Sequence, residues 1–94
     1  MQEDPKHVEI EVTISNVQGL HARPVLRFVD LASQFESTIR IHKGKKAVDG
    51  KSPMEMMLLE APQGTKLRLV ADGRDAQAAL QALTGLIDGK FGEE

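Results

Sequence analysis

Near the start of the chain Val8, Ile10, Val12 and Ile14 alternate with His7, Glu9, Glu11 and Thr13. A period of two predicts a strand with one face in a core and the other in water. Downstream the period changes. Val25, Phe28, Val29, Ala32 and Phe35 recur at helical steps, with Arg23, Arg27, Asp30 and Gln34 opposite them, which predicts a helix from Ala22 to about Phe35. Pro24 suits its first turn, where the missing N–H is not needed. Leu26 falls off the apolar stripe, on the side of Arg23 and Arg27, and is expected to be exposed. Alternation returns through Thr38, Ile39, Arg40, Ile41 and His42, a second strand. Lys43-Gly44-Lys45-Lys46 reads as a four-residue hairpin tip leading to a short third strand around Ala47 and Val48. His7 and His42 fall on wet phases and are expected to be solvated.

Ser52-Pro53-Met54-Glu55 carries the S-x-x-E signature of a capping box. In such a box the Ser52 hydroxyl accepts from the Glu55 amide and the Glu55 carboxylate accepts from the Ser52 amide. A short helix therefore begins here. Met54, Met56, Met57, Leu58 and Leu59 are too many apolar residues for one face of it, so some are core and some are expected at the surface, where thioethers adapt to differently shaped partners. A fourth strand follows, with Leu67, Leu69 and Ala71 alternating with Lys66, Arg68 and Val70. Asp75 is placed to cap a last helix built on Ala76, Ala79, Leu80, Leu83 and Ile87, with Gly89 at its end. The tail Lys90-Phe91-Gly92-Glu93-Glu94 is expected to fray. Every clear strand has one apolar face, so the fold expected is α+β: an open-faced two-layer sandwich, a four-stranded antiparallel sheet with three helices on one face in the order βαββαβα.

Composition narrows the function. Ninety-four residues make one domain, 1–94. With no cysteine there are no disulfides and no thiolate chemistry. A net charge of −2 and three Phe without Tyr or Trp offer neither a basic footprint nor stacking platforms, so no nucleic-acid partner is expected. No apolar run reaches the length of a signal peptide or membrane span, and a cytoplasmic protein without membrane insertion is the reading adopted. Motifs for a hydrolytic nucleophile, a nucleotide loop or paired metal-binding histidines are missing, so no metal and no cofactor is expected.

What remains is Gly19-Leu20-His21-Ala22-Arg23-Pro24, an imidazole where a loop turns into a helix. Two readings stand side by side: a surface histidine between a turn glycine and a helix-starting proline, or a phosphate acceptor. On the second reading the unpaired first amides of the helix and the Arg23 guanidinium would steady a phosphoryl group on His21. Ser52 likewise has two explanations, a helix cap or a site of modification.

The six residues from Gly19 to Pro24 resemble the active-site signature of the HPr family, the histidine-containing phosphocarriers of the bacterial phosphoenolpyruvate-dependent phosphotransferase system. Gly50-Lys51-Ser52 before a Met-rich short helix is similar to that family's second motif, and the resemblance extends from about Val8 to Ile87. It implies that His21 takes a phosphoryl group from enzyme I on Nδ1, with Arg23 assisting, and passes it to an EIIA-type protein. It implies further that Ser52 matches a serine phosphorylated by HPr kinase/phosphorylase, with Lys51 as countercharge; Pro53, where many relatives have an aliphatic residue, is a departure. Ala22, Leu26, Arg27, Lys51, Pro53, Met54 and Met57 are the partner-binding residues expected, on a monomer that carries phosphate rather than acting as an enzyme.

Overall fold

The alternating segments become strands β1 (Lys6–Thr13), β2 (Thr38–Lys43), β3 (Lys46–Asp49) and β4 (Lys66–Gly73) in a computed structural model that describes residues 6–94. The expectation of an unexported N-terminus rests partly on 1–5, outside the described residues. All three pairings are antiparallel and the spatial order is β1-β4-β2-β3. Register lines up Ile10, Leu69, Ile41 and Val48 across the four strands, with Val8, Ala71 and Ile39 as the adjoining inward row. Side chains of one phase thus make a continuous apolar face.

Helices α1 (Ala22–Ala32), α2 (Pro53–Met57) and α3 (Ala76–Asp88) cover that face. α3 packs on β1 and β4, α1 on α3 and α2, and α2 on β3. Phe28, Val25, Met56, Leu59, Leu83 and Ile87 join the inward strand residues in one core. The opposite face of the sheet is open, as the sequence pattern requires.

Several local expectations are corrected. Ile10, assigned to the buried phase, is 39% exposed. β1 is an edge strand, and Gly85 of α3, beside the groove that Ile10 lines, has no side chain to cover it. Val70, on the wet phase, is nevertheless buried; it lies on a central strand, paired with Glu9 on one side and Arg40 on the other. α1 ends at Ala32 rather than near Phe35; Gln34 and Phe35 donate to Leu31 and Ala32 in tightened turns.

The hairpin tip is the pair Gly44-Lys45, because Lys43 and Lys46 are paired residues of the strands. Their ammonium groups are not merely solvated charge. Lys43 Nζ donates to the carbonyls of Leu59 and Glu60, and Lys46 Nζ to that of Leu58, at the negative end of α2. His7 is also more than solvated: Nδ1 lies 2.5 Å from Asp72 and Nε2 2.5 Å from Glu9, which in turn accepts from Arg68.

Asp75 occupies the N-cap position of α3 without capping it. Its carboxylate instead accepts from the Glu36 and Ser37 amides, each at 2.9 Å, and from the Ser37 hydroxyl, tying the loop after α1 to the start of α3. These bonds, led by the Ser37 hydroxyl, hold the Asp75 carboxyl below the usual carboxylate range. Gly89 ends α3 with an ordinary negative φ, and the left-handed positions belong to Lys90 and Phe91. That reversal matters at the other end of the molecule, because it turns the tail back toward the loop before α1.

Candidate functional site

His21 is the N-cap residue of α1, with extended backbone and no hydrogen bond from its side chain to the helix. The loop that delivers it is held on both sides. Asn16 O accepts from Gly19 N at 3.1 Å, and Leu20 N donates to Ala61 O at 2.8 Å. Gly19 has φ +69, and a Cβ there would come within 2.6 Å of Ala61 O and 2.7 Å of Pro62 Cα, so the loop approaches the segment before β4 as closely as only glycine permits. His21 O accepts from Val25 N, and Pro24 has no N–H, which leaves the Ala22 and Arg23 amides without an intrachain acceptor among the described residues.

The tail expected to fray completes the site. Phe91 is 1% exposed and lies in the core, where burying its ring is worth about 2–3 kcal/mol. Glu94 O accepts from Val17 N at 2.7 Å. Between these anchors Glu93 Oε1 accepts from His21 Nε2 at 2.8 Å and from Asn16 Nδ2 at 2.8 Å. Asn16 is fully buried, and the same Nδ2 donates to Gly19 O at 2.6 Å. Hydrogen bonds from His21 and then Asn16 hold the Glu93 carboxyl below the usual glutamate range. An ionised carboxylate only accepts, so Nε2 carries the proton, and in the neutral ring Nδ1 keeps its lone pair.

Val17, Gln18, His21, Ala22, Arg23, Glu93 and Glu94 line an open depression of about 600 Å³ over this ring. Arg23 is exposed and its charge favours the ionised form of Glu93. Ala22 and Leu26 are exposed on α1, Leu26 at 54%, and the Arg27 guanidinium lies against Gly92. On α2, Pro53 and Met57 are exposed and Met54 is 78% exposed, while Met56 and Leu59 fill the core. Lys51 donates its ammonium to the Phe35 carbonyl at 2.7 Å, so that charge is already engaged beside Ser52.

Ser52 caps α2 as expected on one arm, its Oγ accepting from Glu55 N at 3.2 Å. The reciprocal arm is corrected. Ser52 N already donates to Asp49 O, and the Glu55 carboxylate reaches back to the Asp49 amide at 3.1 Å instead. Asn16, Phe91 and Glu93 were not among the residues singled out from the sequence. Phe91 carried the one available signal, an aromatic residue two positions past the helix-ending glycine in a chain with three Phe.

Comparison with known proteins decides the family. The model described as "PTS HPr component phosphorylation site" matches residues 8–88. The chain belongs to the HPr family. It is 46% identical to phosphocarrier protein HPr of Neisseria meningitidis over 82 residues, covering 87% of this chain and 92% of that one. It is also 41% identical to phosphocarrier protein NPr of Shewanella violacea, covering 92% and 94%. Its fold superposes on HPr-C-His from Thermoanaerobacter tengcongensis with a TM-score of 0.89 at 46% identity, covering 93% and 98%. The open antiparallel sheet with its three helices is thus the HPr fold, and the protein is a phosphocarrier of the phosphotransferase system. Family membership brings partners such as enzyme I and EIIA-type proteins. Among the described residues no helix is long and apolar enough to cross a membrane.

Proposed function

We propose that His21 is the residue of this phosphocarrier that bears the phosphoryl group, on Nδ1. The observation that carries the reading is the His21–Glu93 hydrogen bond: Nε2 is engaged, so Nδ1 is the nitrogen whose lone pair is free. As an N-cap side chain the ring stands beside the first amides of α1, where Ala22 N, Arg23 N and the Arg23 guanidinium would meet phosphoryl oxygens in the field of the helix. Enzyme I supplies the group and an EIIA-type protein removes it. Both dock on the face of Ala22, Leu26, Arg27, Lys51, Pro53, Met54 and Met57, whose exposed apolar members Leu26, Met54 and Met57 suit more than one partner.

Incubation with enzyme I and labelled phosphoenolpyruvate tests the assignment. An acid-labile, base-stable label is expected on the wild type and none on His21→Ala. A label that survives His21→Ala would overturn it.

Ser52 is proposed as a second acceptor, for a kinase of the HPr kinase/phosphorylase type. Its Oγ accepts a hydrogen bond at the start of a short helix, beside exposed Pro53 and Met54, and a phosphate there would complement the helix N-terminus. Phosphate incorporation from ATP that disappears in Ser52→Ala supports this, and a kinase that modifies a reference HPr but ignores this chain counts against it. We place the carrier in the cytoplasm as a monomer of one domain, 1–94; sedimentation at a single monomeric mass checks the oligomeric part.

A further inference from the structure

Glu93 is the one carboxylate bonded to the His21 ring among the described residues, and its position is set from two directions. Its Oε1 accepts from His21 Nε2 and from Asn16 Nδ2, both at 2.8 Å. Asn16 is itself fully buried and fixed by its bond to Gly19 O, and the tail is pinned on either side of Glu93 by the buried Phe91 ring and by the Val17–Glu94 backbone bond. A side chain that merely rested on the surface would need none of this. The arrangement places a negative charge on the far nitrogen of the ring, opposite the one left to react.

We propose that Glu93 is a positioning residue that keeps a proton on His21 Nε2 while phosphate sits on Nδ1, and so keeps the phosphoryl group transferable. The inference rests on the reading of His21 as acceptor. In the inward step the Nδ1 lone pair forms the N–P bond as the bond from phosphorus to the donor breaks. The Nε2 proton stays where it was, and the ring becomes a phosphorylated imidazolium facing Glu93. In the outward step the nucleophile of the acceptor protein bonds phosphorus, and the N–P electron pair returns to Nδ1. The group that leaves is then a neutral imidazole. Without the Nε2 proton it would be an imidazolate, a far stronger base and a poorer leaving group.

Charge acts in the same direction. Glu93 and Glu94 line the depression that the phosphoryl group would enter, so their carboxylates oppose the dianion that Arg23 and the α1 amides attract. The site therefore holds phosphate without holding it fast. The titratable or charged groups that line the depressions at His21 are Glu93 and Glu94 from the tail, Arg23 from α1 and Glu60 from the segment before β4, three carboxylates against one guanidinium.

The test compares the wild type with Glu93→Gln, which retains an amide oxygen to accept from Nε2 but removes the charge. Phosphorus and proton NMR titrations of the phosphorylated proteins read the Nε2 pKa directly. Removing the negative charge beside Nε2 removes an interaction that favours the protonated ring, so in Glu93→Gln the proton is expected to leave at lower pH. The rate of transfer to an EIIA-type protein should begin to fall at correspondingly lower pH, by roughly 3–10-fold where only the wild type is protonated. Unchanged amide resonances outside the His21 loop and the tail would show that the change is not a loss of fold. A phosphohistidine that titrates identically in the two proteins overturns the inference and leaves the carrier reading intact, whereas a wild-type chain that takes no phosphoryl group overturns both.

Discussion

Phe91→Ala is the substitution that most directly probes how the tail belongs to the fold. The ring is 1% exposed, inside the same core as Phe28 and Ile87. Removing a buried phenylalanine ring costs about 3–5 kcal/mol in lost transfer energy and cavity formation. Two features draw this case toward the lower end. The segment lies at one end of the described chain and can come away, and coming away releases the left-handed conformations at Lys90 and Phe91, worth about 1–2 kcal/mol per residue. A loss of about 3 kcal/mol is therefore expected, which for a domain of this size corresponds to a fall in Tm of roughly 12–24 °C. Urea unfolding with a shared slope m gives the free energy. Amide exchange at Val17, whose N–H donates to Glu94 O at 2.7 Å, reports whether the tail has detached. A loss below about 1 kcal/mol, or a Val17 amide as protected as in the wild type, would refute the anchoring argument.

The Glu93 carboxyl is held below its usual range by His21 and Asn16, so its contribution to stability is full above the unfolded-state pKa and is lost as pH falls through the folded one. The Tm difference between wild type and Glu93→Gln should accordingly vanish in acid; a constant difference down to about pH 3 would contradict this. His7 behaves with the opposite sign, since the hydrogen bonds its ring donates to Glu9 and then to Asp72 raise its pKa. Its contribution is full below about pH 6.5 and disappears as pH rises through the raised value, so a His7→Gln variant should be less stable only on the acid side, measured by Tm across pH 5–9. Asp75→Ala removes the acceptor of two amides and a hydroxyl at Glu36 and Ser37 and should cost about 1–3 kcal/mol in urea unfolding; an unchanged midpoint would mean that water replaces the carboxylate. Gly19→Ala forces a Cβ against Ala61 and Pro62 at a left-handed position and should displace the His21 loop, seen as a changed His21 ring resonance and slower phosphorylation; a wild-type spectrum would refute the close approach.

Local periodicity was enough to read the strands, the three helices and the one-sided sheet, because each inward residue repeats at the step of its own element. His21 and Ser52 were legible for the same reason, each standing where a helix starts. Glu93 was not, since its partners lie 77 and 72 residues away and nothing in Gly92-Glu93-Glu94 signals a contact that only the folded chain creates. Asp75 and Glu55 show the milder form of that failure. Both look like helix caps by position, yet their carboxylates turned to amides that tertiary structure had left open, at Ser37 and Asp49. The bonds made by the hairpin lysines were not legible either, because their carbonyl partners at Leu58, Leu59 and Glu60 lie just past the end of α2 and leave no trace in its apolar pattern. Ile10 failed for want of a neighbour, which an edge strand lacks on one side.

The bond from Glu93 to Asn16 and His21 also orders events in time. A ribosome adds Asn16 and His21 early, and the carboxylate that orients the ring is added 72 residues after His21. Until then a nascent chain displays an imidazole free to rotate, with its loop lacking the Val17 anchor. Full competence for phosphoryl transfer is consequently acquired only once Glu93 has been added, and a polypeptide that contains the whole signature but stops short of Glu93 would be a slower carrier than the folded protein.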